Sequence, residues 1–379
     1  MLFLIAAALA LFGAAMVYSA SAMISMKETQ SATQFSYFYK QFAFTLVGLG
    51  IMYAGSRIDY RRYATPRFVY GLMAVTVALL FCVFLFPAIN GASRWIRAGG
   101  ISFQPSEVAK VSLPIFLAYY LSRDGADAAD FKRGVLPCIA GLAILAFPVL
   151  LEPDLGTTIV LCAIFASIYF AAGARSLHLL PVAAGMLILG IAALVFAPWR
   201  LRRIAAFLDP CSPENAADTG YQVCQSLYAI GTGGVFGEGF GKGEQKLFYL
   251  PYPYSDFIFS VVGEELGLIG TLAVVLAFGF ILWRGTRAGL NAADRFGMLL
   301  GFGLVTGVVV QALFNISVVT SILPAKGIPL PFISYGGSSV LVTLFAVGIL
   351  LNISEARGKT SPTTVSAGSP FGRRRKARV

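Results

Sequence analysis

Charge is scarce in this sequence. Of 379 residues, 12% are charged and 57% are hydrophobic. A water-soluble domain of this length mixes the two more evenly, so an ordinary soluble enzyme is excluded. The apolar/polar alternation over ~10-residue segments that marks an outer-membrane barrel is also missing. Histidine occurs once, at His178. Neither a Ser–His–Asp set nor a His/Cys metal cluster can be built from it. A base working near neutral pH must then be a carboxylate, a tyrosine or a lysine. There are five cysteines. Cys82, Cys138 and Cys162 lie in apolar runs and read as packing residues. Cys211 and Cys224 share the one long loop. They can pair if that loop faces an oxidising compartment, or remain free. No internal repeat and no separate soluble domain is visible.

What the chain does have is long apolar runs, near 1–24, 41–56, 68–88, 107–122, 134–151, 156–172, 176–197, 257–283, 296–318 and 329–352. In hydrocarbon the backbone must satisfy its own hydrogen bonds, so runs of ~20 apolar residues read as spanning helices. The expected fold is an all-α polytopic membrane protein of about ten transmembrane helices. A large extracytoplasmic loop, 198–256, would separate helices seven and eight. The first run lacks a basic n-region and is too long for a signal peptide, so the chain is expected to start almost inside the membrane. The net charge is +11. With the N-terminus inside, 18 of the 29 Lys and Arg fall on inner segments, including seven from Arg357 to Arg378. Topology and anionic lipid account for the charge, and nucleic acid is not expected as a partner. Both termini are then cytoplasmic. The membrane domain is read as 1–357, and 358–379 as a disordered basic tail, being rich in Ser, Thr, Pro and Gly.

Four polar clusters interrupt this pattern on the outer side. In the first, Arg94 and Arg97 precede Pro105, Glu107 and Lys110. Proline suits the first turn of a helix, and Glu107 and Lys110 then share one face as an i,i+3 pair. This is either a structural ion pair with interfacial anchors or a cationic pocket for phosphate. In the second, Glu152 and Asp154 occupy a tight turn. They either bind a divalent cation, or Asp154 caps the next helix. The third runs from Gly231 to Asp256. Its glycines are too many for a helix, and it is not a Walker loop, for no strand precedes it and no Gly-Lys-Ser/Thr follows. A re-entrant or tightly turned segment at the membrane face fits better. Ser255 and Asp256 read as the start of a helix, in which Glu264 and Glu265 would lie ~12–14 Å deeper at 1.5 Å per residue. Carboxylates at that depth need partners or water. In the fourth, Lys326 sits at the outer mouth of the last helix, followed by Ser334 and small residues that permit close helix packing.

The Ser93–Ile96 (SRWI), Gln104–Glu107 (QPSE) and Glu152–Thr157 (EPDLGT) segments come in that order. After them come the GxGGxxGxGxG stretch from Gly231, Tyr249–Pro251 (YLP), Ser255–Phe259 (SDFIF), Gly263–Gly267 (GEELG) and Leu323–Ser339 (LPxKGxxLPFISYGGSS). Together they resemble the SEDS family (shape, elongation, division and sporulation) over nearly the whole chain. The forms around Gln245–Pro251 and Val261–Gly267 look most like its division branch, FtsW-like rather than RodA-like. The cysteine pair and the short N-terminus depart from both branches. The resemblance implies a peptidoglycan glycosyltransferase of the bacterial cytoplasmic (inner) membrane that polymerises lipid II at the outer face. Its implied partners are a class B penicillin-binding protein (transpeptidase) and other membrane proteins of the division or elongation complex. It implies that Asp256 is the catalytic carboxylate. As base it would serve attack by the acceptor GlcNAc 4-hydroxyl on C1 of the donor MurNAc, with inversion and loss of undecaprenyl pyrophosphate. Arg94, Lys110 and Lys326 would meet the pyrophosphate charge, with Arg97, Glu107 and Ser334 as further substrate-binding candidates. Glu107 would orient Lys110, and a divalent ion (Mg or Mn) at Glu152 and Asp154 is a possible helper. Two rivals remain at this stage. One is a flippase for lipid-linked sugars, best supported by Glu264 and Glu265. The other is a non-catalytic scaffold of a division complex, best supported by the basic tail.

Overall fold

The computed structural model describes residues 1–30, 33–88, 92–98, 101–124, 126, 128–173, 180, 184–185, 206–216, 218 and 220–356. The first two apolar runs become α1 (Leu2–Glu28) and α2 (Ser36–Arg57). Next come α3 (Pro66–Cys82), and a two-stranded hairpin of β1 (Ile96–Ala98) and β2 (Ile101–Phe103) in which Arg97 pairs with Ser102. Then follow α4 (Pro105–Ser122), α5 (Leu136–Leu151) and α6 (Leu155–Ala171). The chain ends with α7 (Tyr221–Gly233), α8 (Ile258–Leu290), α9 (Arg295–Val319) and α10 (Gly337–Ala356). Six helical stretches among the described residues are long and apolar enough to cross a membrane. The expected span at 176–197, His178 and the tail lie outside the described residues, apart from isolated positions in the span.

Local chemistry sets the helix starts. Prolines 66 and 105 enter at the first turn, where a missing N–H costs nothing. Asp154 and Asp294 cap α6 and α9, accepting from the amides of Thr157 and Gly297. The last helix begins at Gly337 and not at 329 as the apolar run suggests. Pro329 and Pro331 supply no amide hydrogen, and 329–336 instead forms an extended and turned segment.

Helices pack through small residues, as expected where lipid offers no hydrophobic drive. The most extensive pairing is α2 on α10. There a Cβ on Gly348 would lie 2.6 Å from the Met52 carbonyl oxygen. The alternating helix directions place all of the hairpin, the 152–154 turn, α7 and the 320–336 segment at one end of the bundle. The basic stretches around Arg57–Arg67, Arg123–Arg133 and Arg284–Arg295 gather at the other.

The long loop 198–256 is not plain loop. Cys211 and Cys224 are disulfide-bonded and tie residues 211–216 to α7. After α7 the glycine-rich stretch folds back on the start of α8. The main chain of Glu238 and Gly239 donates to the carbonyls of Glu264 and Glu265. Glu265 accepts from Ser19 and from the Gly241 amide, and pairs with Lys246. Glu264 accepts from the amides of Glu244 and Gln245 at 2.6 and 2.9 Å. Gly267 then breaks α8, with φ +65°. A Cβ there would meet the Gly237 nitrogen and the Val235 oxygen at 2.5 Å, so only glycine allows the two backbones to touch. Glu264 and Glu265 sit just before the kink, and the partners that buried carboxylates need come from the glycine-rich loop, Ser19 and Lys246.

Candidate functional site

A cavity of about 670 Å³ opens at the loop-rich end of the bundle. Its wall carries Arg94, Arg97, Glu107, Lys110, Asp154, Asp256 and Lys326. Residues far apart in sequence meet there because each sits at or near an element start or end. Of the nine candidates from sequence, the cavity gathers these seven.

Asp256 precedes α8 but does not cap it. The helix starts at Ile258, with Phe257 as its N-cap and no side-chain hydrogen bond at that end. The half-buried carboxylate instead lies over Gly327, where a Cβ would approach Asp256 Oδ2 to 2.6 Å. Burial pushes its pKa up to about 6; Arg94 opposes this and Asp154 adds to it. A carboxylate so tuned is suited to take a proton near neutral pH.

The cations are held by different means. Arg94 donates from Nε to the Glu152 carbonyl at 3.0 Å and from Nη2 to the Pro153 carbonyl at 2.6 Å. The guanidinium is thereby oriented by main chain, and its charge is not neutralised by these contacts. Lys110 pairs with Glu107 Oε2 at 2.7 Å and donates to Gln311. Both members of the pair are buried, so the structural ion pair and the cationic wall are one and the same object. Arg97 projects from β1 and is exposed.

Ser334, a substrate-binding candidate from sequence, does not line the wall. It is buried, donates to the Ser255 carbonyl at 2.6 Å and accepts from the Leu330 amide at 2.7 Å. Its hydroxyl locks two loops together and has no hydrogen left for substrate. At the possible divalent-ion position, Glu152 and Asp154 have different surroundings. Asp154 is occupied by the Thr157 amide and hydroxyl at 3.1 and 2.8 Å, the capping role. Glu152 is buried behind the wall with no hydrogen bond to either oxygen, and burial, reinforced by Asp154 and opposed by Arg94, pushes it up to about 8. Among the described residues no three His, Cys, Asp or Glu side chains converge.

Sequence reading missed other wall residues: Lys40, Trp95, Gln104, Gln311, and the aromatic group of Tyr252, Tyr254 and Tyr335. The rings of Tyr254 and Tyr335 lie 5.7 Å apart, with Tyr37 against both. Gln311 carried a usable signal, a polar side chain inside an apolar span. The tyrosines did not, since aromatics are common at any membrane interface.

Comparison with known proteins matches residues 1–359 to the cell cycle protein family of FtsW, RodA and SpoVE. The probable peptidoglycan glycosyltransferase FtsW of Geobacter sulfurreducens is 44% identical over 360 residues, covering 93% of each chain. Stage V sporulation protein E of Bacillus subtilis is 40% identical over 350 residues, covering 90% of this chain and 94% of its own. Among solved structures, one from a peptidoglycan synthase complex that coordinates polymerization and crosslinking superposes with a TM-score of 0.75 at 25% identity, covering 94% of this chain and 98% of that one. Thermus thermophilus rod shape determining protein RodA superposes with a TM-score of 0.68 at 26% identity, covering 94% and 96%. This multi-helix membrane chain, with its cationic cavity around one unspent aspartate, belongs to the FtsW, RodA and SpoVE family of cell cycle proteins.

Proposed function

We propose that the chain is a peptidoglycan glycosyltransferase that polymerises lipid II, acting in cell division or elongation. The observation that carries this reading is Asp256: a carboxylate not consumed as a helix cap, in a cavity wall shared with Arg94, Lys110 and Lys326. In the mechanism, Asp256 takes the proton from the acceptor GlcNAc 4-hydroxyl as that oxygen attacks C1 of the donor MurNAc. The C1–O bond to pyrophosphate breaks, the anomeric configuration inverts, and undecaprenyl pyrophosphate leaves. Arg94, Lys110 and Lys326 stabilise the charge that develops on the leaving group. No step is assigned to a metal.

The loop-rich end faces outward in this reading, with both termini in the cytoplasm of a bacterium and the chain in its inner membrane. A class B penicillin-binding protein is the partner that would crosslink the product, alongside other membrane proteins of the complex. The flippase alternative loses its main support, because Glu264 and Glu265 are engaged in holding the glycine-rich loop. The deciding assay uses purified protein in detergent with lipid II, where no transbilayer movement exists. Glycan strands are expected from the wild type. Asp256→Asn is expected to be stable yet to lose at least ~100-fold in rate, as loss of a general base requires. Lipid transfer across vesicles without polymer would establish the flippase. Neither activity would leave the scaffold.

A further inference from the structure

Two polar side chains stand one turn apart inside the apolar helix α9. Gln311 is 2% exposed and Asn315 is 1% exposed. Burying a carboxamide costs free energy unless hydrogen bonds repay it. Here the bonds go to the loops and the lysine that build the catalytic wall. Gln311 accepts from Lys110 of α4 and donates from Nε2 to the Pro329 carbonyl at 2.9 Å. Asn315 donates from Nδ2 to the Asp256 carbonyl at 2.8 Å and to the Ile328 carbonyl at 2.7 Å. The amide orientations follow from chemistry. Only an NH₂ group can meet two carbonyl oxygens, and only an oxygen can face an ammonium.

We propose that Gln311 and Asn315 are positioning residues, a two-rung ladder on α9 that holds the Asp256 loop, the Lys326–Pro329 loop and Lys110 in one register. This rests on the assignment of Asp256 as the base. Both loops are non-helical, and the carbonyls of Asp256, Ile328 and Pro329 take hydrogen bonds from these α9 side chains. The rungs are ~6 Å apart along a rigid helix at 1.5 Å per residue. One rung ties Ile328 to Asp256 and the other ties Pro329 to Lys110, so base and cations are referenced to the same rod. Asn315 Oδ1 has no partner among the described residues. An apolar residue of similar size would avoid that unpaired acceptor, and what it could not supply is the pair of donors.

The test uses the full chain purified in detergent, with lipid II as substrate. The variants are Asn315→Leu and Gln311→Met, near in volume and without hydrogen bonds, and Gln311→Glu, which keeps the acceptor for Lys110 and loses the donor to Pro329. The expected result for Asn315→Leu and Gln311→Met is a fall of about 10- to 100-fold in kcat, the size typical of a small misplacement of reacting groups, with KM changed by less than about twofold. Gln311→Glu should recover part of the loss. Hydrogen–deuterium exchange should rise at residues 255–258 and 327–330, while the opposite end around Tyr60 and Asp294 stays as in the wild type. Wild-type kcat in stably inserted variants overturns the proposal. So does exchange raised throughout the bundle with kcat and KM both degraded, which marks a general structural role. If Asn315→Leu does not insert, Asn315→Asp, which keeps the shape and loses at least one donor, is judged by the same two outcomes. A wild type that makes no glycan, or an active Asp256→Asn, would defeat the base assignment instead, and the exchange measurement would still report on the ladder.

Discussion

At the residue scale the chemistry turns on how Asp256 is surrounded. The proposed base must be ionised to act, so the acid limb of kcat/KM should fall as pH drops through about 6, the value to which burial raises this group. Its neighbours move that limb in opposite directions. Arg94 favours the charged form, so Arg94→Gln should shift the limb to higher pH. Asp154 disfavours it, so Asp154→Asn should shift the limb lower, and asparagine still caps α6. A pH series of polymerisation rates checks both signs, and a limb unmoved in either variant removes Asp256 from the role. Lys326 lies beside Gly327, over which the carboxylate rests. Lys326→Ala is expected to lower turnover by roughly 100- to 1,000-fold, the usual effect of deleting one charge-stabilising donor. Its measurement is the steady-state rate in a variant shown to be folded by its melting curve.

At the element scale the glycine-rich stretch shows how sequence signals combine. From sequence alone it is a run of glycines beside two awkward carboxylates. In the fold each explains the other: the glycines allow the loop to press on α8, and Glu264 and Glu265 gather its amides. Lys246 completes the arrangement by pairing with Glu265, both buried. Lys246→Met would leave that carboxylate buried beside only Ser19 and the Gly241 amide. Removing one partner of a buried pair costs about 3–5 kcal/mol. A lowered thermal unfolding midpoint in detergent, with exchange rising first over 237–250, is the expected result. An unchanged midpoint would mean the pair contributes nothing to holding the loop. The kink at Gly267 could not be located from the apolar pattern, because hydrophobicity continues through it and glycine is ordinary in membrane helices.

At the scale of the whole molecule the helix directions put the cavity at one end and the basic stretches at the other. The proposed orientation, by the positive-inside rule, has the basic end cytoplasmic. Single cysteines introduced at Glu355 and at Ser255, in a chain whose own cysteines are replaced, should react with a membrane-impermeant thiol reagent from opposite sides: the first only in inverted vesicles, the second only in intact cells. Labelling of both from the same side would reverse the proposed site map.

Composition alone established that the chain is a helical membrane protein, because hydrocarbon admits no other use for so many uncharged runs. The order of short motifs was enough to identify the family, and that resemblance singled out Asp256, with Arg94, Lys110 and Lys326 as its cationic companions. Only the tertiary structure decided what those residues touch. Whether Asp256 caps a helix or faces a cavity depends on where α8 starts, and that is set by the loops packed against it. Ser334 and Gln311 look alike in sequence, polar residues among apolar ones. One locks loops behind the wall and the other lines it beside Lys110, because hydrogen-bond partners come from segments tens to hundreds of residues away. Periodicity and charge report what a residue needs, and the packed bundle determines which neighbour meets that need.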